Sequence, residues 1–559
     1  MSGLREVDYL VVGAGSAGAI VAARLSADAQ ATVLLIEAGR RDLNPILHIP
    51  AAARWAFNAR RYNWNYQSEP EPRLNGRRLS QPRGRVVGGS SSINGLVYLR
   101  GHALDYEAWA EAGADGWSYR EVLPYFQRLE RGAHAQNPYQ GADGPVGVSS
   151  VRDLNPISRA FMRCCDEAGY DFTEDVNGYR QEGYGLFPMN IAGGLRQSTA
   201  RAYLRPAGRR SNLSVETRAH ADRIAFDGRR AVALDYRHRG RPRRVHVRRE
   251  IILSAGAFNT PKLLMLSGVG PADSLRRQGI TVVHDLPGVG MNLMDHPLSA
   301  IQAACKQPVS LYRHLNLPSQ GRATLRWLFK RDGLLASNHF ECGAFIRSAA
   351  GVRFPDIQLY LFPVAVAEGS KDFMRGHGFQ VQVSTQRSAS RGWVKLGSSD
   401  PDTPPRICFH FLDNEADFTE LRAGFGLARE ILAQPAMRDF HDHEMLPGPK
   451  VRTDRDMDAW LRAHVQSSYH PAGTCKMGRD SMSVVDPACR VHGLEGLRIA
   501  DASIMPVITS CNLNGPVMMI GEKAADLIAE RNPLPPSDLP FFTDPHWQTR
   551  QRRRPAVAD

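Results

Sequence analysis

Hydrophobic and polar positions alternate in three recognisable ways along the chain. Asp8-Tyr-Leu-Val-Val-Gly13 is a short apolar run, which predicts a strand buried on both faces. The run Ala19–Leu25 suits a helix, and a second apolar run, Thr32–Ile36, ends in Glu37. Ile251–Ala255 repeats the buried-strand pattern more than two hundred residues later. Val381–Thr385 and Trp393–Leu396 alternate as half-exposed strands do. Thr453 and Asp456 form a capping box for a helix reaching about Val465, which puts His464 in its last turn and His470 in the loop beyond.

Between the first strand and helix lies Gly13-Ala-Gly15-Ser-Ala-Gly18. In this βαβ arrangement Gly13 permits the tight turn, Gly15 lets backbone approach a pyrophosphate, and Gly18 lets helix pack on strand. Free N–H groups at the helix start favour the phosphates. Glu37, nineteen residues past Gly18, stands where a carboxylate accepts from ribose hydroxyls. The pattern predicts dinucleotide binding and leaves NAD and FAD both open, since they share the ADP half. A second glycine-rich segment, Gly84–Gly95, is dense in small residues and hydroxyls, as suits backbone running along a flat ligand. A third, Gly256–Gly270, follows the Ile251–Ala255 strand; Thr260 and Pro261 read as N-cap and first residue of a helix, and Gly268 as its stop. The cofactor domain is therefore expected to be discontinuous.

Composition narrows the classes. With 559 residues, 43% hydrophobic and 23% charged, the chain is long enough for several domains and ordinary for a globular protein. No stretch nears the roughly 18 apolar residues of a membrane-spanning helix. Met1–Tyr9 lacks an apolar segment, which predicts no secretory signal and a cytoplasmic protein. The net charge of +13 invites a nucleic-acid reading. Yet only eight of the 70 basic residues are lysine, and the dense stretches Arg237–Arg249 and Arg550–Arg554 carry no interleaved aromatics, so no nucleic-acid partner is expected. The eight cysteines form no CxxC pair, which predicts reduced, buried thiols. His464, His470 and Cys475, or His441, His443 and Glu444, lack zinc spacing, so no metal is expected.

Taken together, Gly84–Glu107, Gly256–Gly270, Gly288–Pro297 and Tyr469–Gly478 resemble, in order, the blocks of the glucose–methanol–choline family of flavin oxidoreductases, from Asp8 to about Ile528. The resemblance implies an α/β (α+β overall) architecture: a Rossmann-like FAD-binding domain (1–155, 200–297, 465–531), a substrate domain built on an antiparallel sheet (156–199, 298–464) and an extended tail (532–559). It implies non-covalent FAD, because Ile93 stands where some relatives carry a flavin-linked histidine. Cofactor contacts fall on Gly13, Gly15, Gly18, Glu37, Arg85, Val87, Gly88, Asn94, Ala221 and Asp501. The family's catalytic pair falls on His470 and Asn514; an imidazole suits removal of a hydroxyl proton, and an amide N–H suits stabilisation of the alkoxide. Trp64 and Glu341 match residues that hold a trimethylammonium group in choline-oxidising relatives, an aromatic face and a carboxylate being what such a cation wants. Tyr360 replaces a substrate-side histidine of those enzymes. The implied activity is oxidation of a primary alcohol, choline included as an alternative, with electrons passing to a quinone-like acceptor or dioxygen and at most peripheral membrane contact. An NAD-dependent dehydrogenase, a non-redox flavin lyase and a basic binding protein with a vestigial fold are the rivals.

Overall fold

The computed structural model describes residues 5–132, 137–151, 153–366 and 373–553. The apolar runs read from the sequence form the centre of a mixed seven-stranded sheet. Leu213–Thr217, Val33–Glu37, Arg5–Val12 and Arg241–Leu253 lie parallel, in that order. Leu10, Val11 and Val12 stand opposite Ile251, Ile252 and Leu253, so the strand expected to return after two hundred residues does so directly beside the first. The far side of Ile251–Leu253 pairs with Leu497–Ile499, a third distant segment. Their side chains are buried on both faces, which is why these runs are continuous rather than alternating. The arginine-rich stretch is a hairpin: Arg241–His246 turns back on Ala233–His238, with Val245 and Val247 buried among exposed arginines.

The helix Gly18–Leu25 covers this sheet and is itself packed by the C-terminal helix Asn514–Ile528. The close approach depends on two glycines. A Cβ at Gly18 would sit 2.0 Å from the Gly13 carbonyl oxygen, and one at Gly521 would sit 3.0 Å from Ala17.

A second sheet is antiparallel throughout, in the order His441–Leu446, Pro297–Cys305, Gly378–Thr385, Ile357–Phe362, Cys342–Ile346, Gly183–Leu186. Gly378–Thr385 is central and nearly all buried, not half-exposed, because the helix Glu415–Leu432 packs on it. Trp393–Lys395 does alternate, in a small hairpin with Arg406–Cys408. The helix expected from Thr260 begins earlier, at Gly256, with Pro261 inside it; Thr260 instead turns its hydroxyl to Asp501 at 2.6 Å. Its stop at Gly268 (φ +82°) and the capped helix Asp454–His464 are as expected. All eight cysteines are free thiols. Among the described residues no helix is long and apolar enough to cross a membrane.

The segment after Asn532 has no helix or strand through Arg553, yet it is docked rather than loose. The fully buried Arg347 binds Asp544 at 2.7 Å and the backbone carbonyls of Trp547 and Arg550. Arg554 lies outside the described residues.

Candidate active site

One cavity of about 1170 Å³ runs between the two sheets, joining the glycine-rich loops to the loop that carries His470. At one end it is lined by Gly13, Gly15, Glu37, Ala221 and Asp501. Glu37 accepts from the backbone N–H of Ala14 (3.1 Å) and of Gly39 (2.7 Å). Burial pushes its carboxyl up to about 7, against those two bonds and nearby Arg85. Two lone pairs remain for a ligand, since an ionised carboxylate offers about four. Asp501 likewise braces the loop after Ile251–Leu253, accepting from Gly256 N–H at 2.8 Å.

The remaining expected cofactor residues divide into those that face the cavity and those that hold its wall. Asn94 faces it and accepts from Arg196 at 2.7 Å. Gly18, Arg85, Val87 and Gly88 stand behind. Gly88 N–H donates to Ala14 O at 2.7 Å, which draws the second glycine-rich segment onto the first. Gly89 (φ +52°), not singled out from the sequence, makes the contact itself: a Cβ there would lie 2.6 Å from Gly15 Cα. The cavity's volume, glycine walls and terminal carboxylate fit a dinucleotide.

At the other end the loop Gln466–His470 is pinned from several sides. Tyr469 is left-handed (φ +65°), a conformation that costs a non-glycine residue about 1–3 kcal/mol and persists only when its surroundings hold it. Its N–H donates to Ser467 Oγ (2.8 Å) and its carbonyl accepts from Arg83 (2.7 Å). Asp295 accepts from the backbone N–H of both His296 and His470, each at 2.8 Å, and from the Ser467 hydroxyl. Burial pushes Asp295 up to about 6.

The His470 side chain lies between two partners. Its Nε2 is 3.2 Å from Asn512 Nδ2, and its Nδ1 is 3.0 Å from His296 Nδ1. The Tyr360 hydroxyl reaches Asn512 Oδ1 at 3.0 Å and Gln358 Oε1 at 2.7 Å. The single phenolic proton is shared between the two amide oxygens, and since an amide oxygen can only accept, Asn512 Oδ1 faces Tyr360 and Nδ2 faces the imidazole. Nδ2 can only donate, so His470 Nε2 is unprotonated and its proton sits on Nδ1, facing His296. Burial holds His470 well below the ordinary imidazole value, and His296 and Arg83 add to the effect. The arrangement is a neutral imidazole with its basic nitrogen at the cavity and an amide donor beside it.

Three expectations are corrected. Asn514 does not meet His470: as the first residue of its helix it accepts from Ser16 Oγ at 2.9 Å, next to the nucleotide loop, and Asn512 takes its place at the imidazole. The two asparagines differ by two positions, and only the helix start at Asn514 separates their directions. Glu341 does not line the cavity; its buried carboxylate accepts from Asn155 N–H (2.8 Å) at the start of the helix Pro156–Glu167. Trp64 does line the cavity, but its ring neighbours are Tyr66, His220 and the Arg85 guanidinium, 4.6 Å above it. It therefore belongs with the walls of the nucleotide arm. Tyr360 lines the cavity and lies against Asn512. His296 lies within the Gly288–Pro297 block, next to Asp295, and no spacing along the chain marks it as a partner of His470.

A dinucleotide-binding sheet joined to an antiparallel sheet, with a neutral imidazole in the cavity between them, defines a flavoprotein-type oxidoreductase. Residues 7–298 and 388–521 match the N- and C-terminal GMC oxidoreductase domains. The chain belongs to the GMC oxidoreductase family, and is an FAD-dependent enzyme acting on CH–OH donors. It is 46% identical over 549 residues to the oxygen-dependent choline dehydrogenase of Photobacterium profundum (98% of this chain, 97% of that one). It is 47% identical to that of Sinorhizobium medicae (98% and 100%). Among solved structures it is similar to pyridoxine 4-oxidase from Mesorbium loti (TM-score 0.86, 30% identity, 94% of this chain and 100% of that one). It is also similar to a formate oxidase of Aspergillus oryzae (TM-score 0.88, 26% identity, 94% and 98%).

Proposed function

We propose that the chain oxidises a primary alcohol to the aldehyde, with His470 as base and Asn512 as hydrogen-bond donor to the substrate oxygen. Bound FAD supplies the acceptor for the hydride leaving the substrate carbon. The alcohol hydroxyl takes the place of the Asn512 N–H at His470 Nε2, which accepts the hydroxyl proton, and the displaced amide N–H turns to the oxygen as it gains charge. Tyr360 keeps the amide from turning over. His296 accepts from His470 Nδ1 and so holds the neutral tautomer in which Nε2 is unprotonated. Gly13, Gly15, Glu37, Asn94, Ala221 and Asp501 would hold the cofactor, with Gly18, Arg85, Val87 and Gly88 behind them. Electrons then pass to an acceptor, dioxygen or a quinone-like molecule. The observation that carries the reading is the His470–Asn512 contact at the end of a dinucleotide-sized cavity.

Choline is the second reading, favoured by the names of the relatives at 46–47% identity. Near His470 the wall is aromatic, with Phe340, Tyr360 and Tyr469, as suits a quaternary ammonium or an apolar alcohol alike. Glu341, the carboxylate matched to the trimethylammonium site of choline-oxidising relatives, accepts from Asn155 N–H instead. An anaerobic panel of primary alcohols with choline, read by bleaching of the flavin, decides between the readings; absence of bleaching with every alcohol would overturn both.

Asn512→Ala is expected to slow flavin reduction about 10²-fold, the usual cost of losing one such donor. Asn514→Ala should instead weaken flavin retention and leave the reduction rate of the loaded enzyme within a few fold. Equal effects of the two on the reduction rate would refute the assignment. Because burial keeps His470 neutral, the base needs no deprotonation on going from pH 6.5 to 8. The acid limb of flavin reduction should accordingly lie below pH 6.5, the ordinary imidazole value; a half-loss at or above 6.5 contradicts it. Ile93 is buried and carries no nucleophile, so acid precipitation of the holoenzyme should leave the yellow colour in the supernatant. A yellow pellet would show a covalent link.

A further inference from the structure

The helix Leu317–Lys330 carries an apolar stripe that none of the described residues covers. Leu317 and Phe329 are each 83% exposed, Leu325 56% and Leu328 50%. Leu317, Gly321, Leu325 and Phe329 follow one another at four-residue spacing with Leu328 beside them, so they share one face. The adjoining row is basic: Arg322, Arg326 and Lys330, again four apart and exposed, with Arg326 paired to Asp332 at 2.6 Å. Only Trp327 of this helix is buried; its indole N–H donates to Gly194 O at 2.8 Å. The helix is thus anchored by its inner face alone.

Two further observations define what the outer face fits. The inner face, through Gln320, Ala323 and Thr324, is a wall of the active-site cavity, which Arg54 and the half-exposed Trp55 line as well. The hairpin that receives Trp327 also walls an open basin lined by Arg131, Arg201, Arg205 and Arg209. Of these, Arg205 pairs with Asp42. Exposed leucines and a phenylalanine flanked by cations match the boundary between acyl chains and anionic headgroups. A second copy of the chain fits poorly. In an antiparallel two-fold contact each basic row would face its own copy, and in either orientation four side chains of one helix fall short of the roughly 800 Å² per partner of a stable interface.

We infer that the outer face of the Leu317–Lys330 helix docks on an anionic lipid bilayer, bringing that wall of the cavity to the membrane surface. The inference stands on the fold and does not require the alcohol substrate proposed above. It is tested by flotation of the holoenzyme with vesicles of phosphatidylcholine alone and with about 30 mol% phosphatidylglycerol. Wild type should float with the anionic vesicles at least about tenfold more strongly than with the neutral ones, and less so at high salt. Leu325→Glu/Phe329→Glu should abolish flotation, and Arg322→Gln/Lys330→Gln should lower it by about fivefold or more for each charge removed. Both double variants should keep their flavin content and melting temperature, since these side chains are exposed. No flotation of wild type, or flotation unchanged in Leu325→Glu/Phe329→Glu, overturns the inference. A wild-type dimer made monomeric by Phe329→Glu, without lipid binding, overturns it in favour of self-association.

Discussion

His470→Ala is expected to leave FAD bound and to slow its reduction by alcohol about 10³-fold, within the usual contribution of a positioned general base. The side chain touches Asn512 and His296, whereas the loop's shape is set by backbone bonds to Asp295 and Arg83. Removing the imidazole therefore leaves the loop's anchors in place. Anaerobic stopped-flow measurement of flavin bleaching separates this step from reoxidation. Reduction within about threefold of wild type would remove His470 from the mechanism. His470→Gln restores hydrogen bonding without a base, so it should be nearly as slow as the alanine variant.

Gly15→Val and Gly18→Val, only three residues apart, are expected to fail for different reasons. At Gly15 a Cβ meets nothing closer than Ser254 O at 3.8 Å, so the protein itself has room and the added side chain enters the cavity. That variant should fold and melt like flavin-stripped wild type, and purify nearly colourless. At Gly18 a Cβ would lie 2.0 Å from Gly13 O and 2.8 Å from Ser254 Cβ, which forces the helix off the sheet. That variant should lose several kcal/mol, in the range of severe core overpacking, and accumulate as insoluble chain. Absorbance near 450 nm and thermal melts distinguish the two outcomes. A yellow, wild-type-like Gly15→Val would mean that the cofactor does not pass that glycine.

Several elements were legible because their causes are local. The strand at Asp8–Val12, the helix after Gly18 and Glu37 follow from periodicity, from glycine's missing Cβ and from spacing. The capping box at Thr453 fixed the start of the helix that leads to His470 by bonds within four residues. The helix near Gly256 was misplaced because Thr260 looked free to cap, whereas Asp501, far along the chain, claims its hydroxyl.

By itself, the sequence determined that this is a flavoprotein of the GMC family with His470 in the loop after a capped helix, because glycine patterns, buried apolar runs and ordered blocks are read one after another. The tertiary structure alone decided which asparagine faces that imidazole, that His296 lies on its other side, and that Glu341 serves a helix terminus. Each of those depends on the direction of a side chain relative to a segment hundreds of residues away. Such directions are set by packing and by competition for hydrogen bonds in the folded chain, and no pattern of neighbours along the sequence carries them.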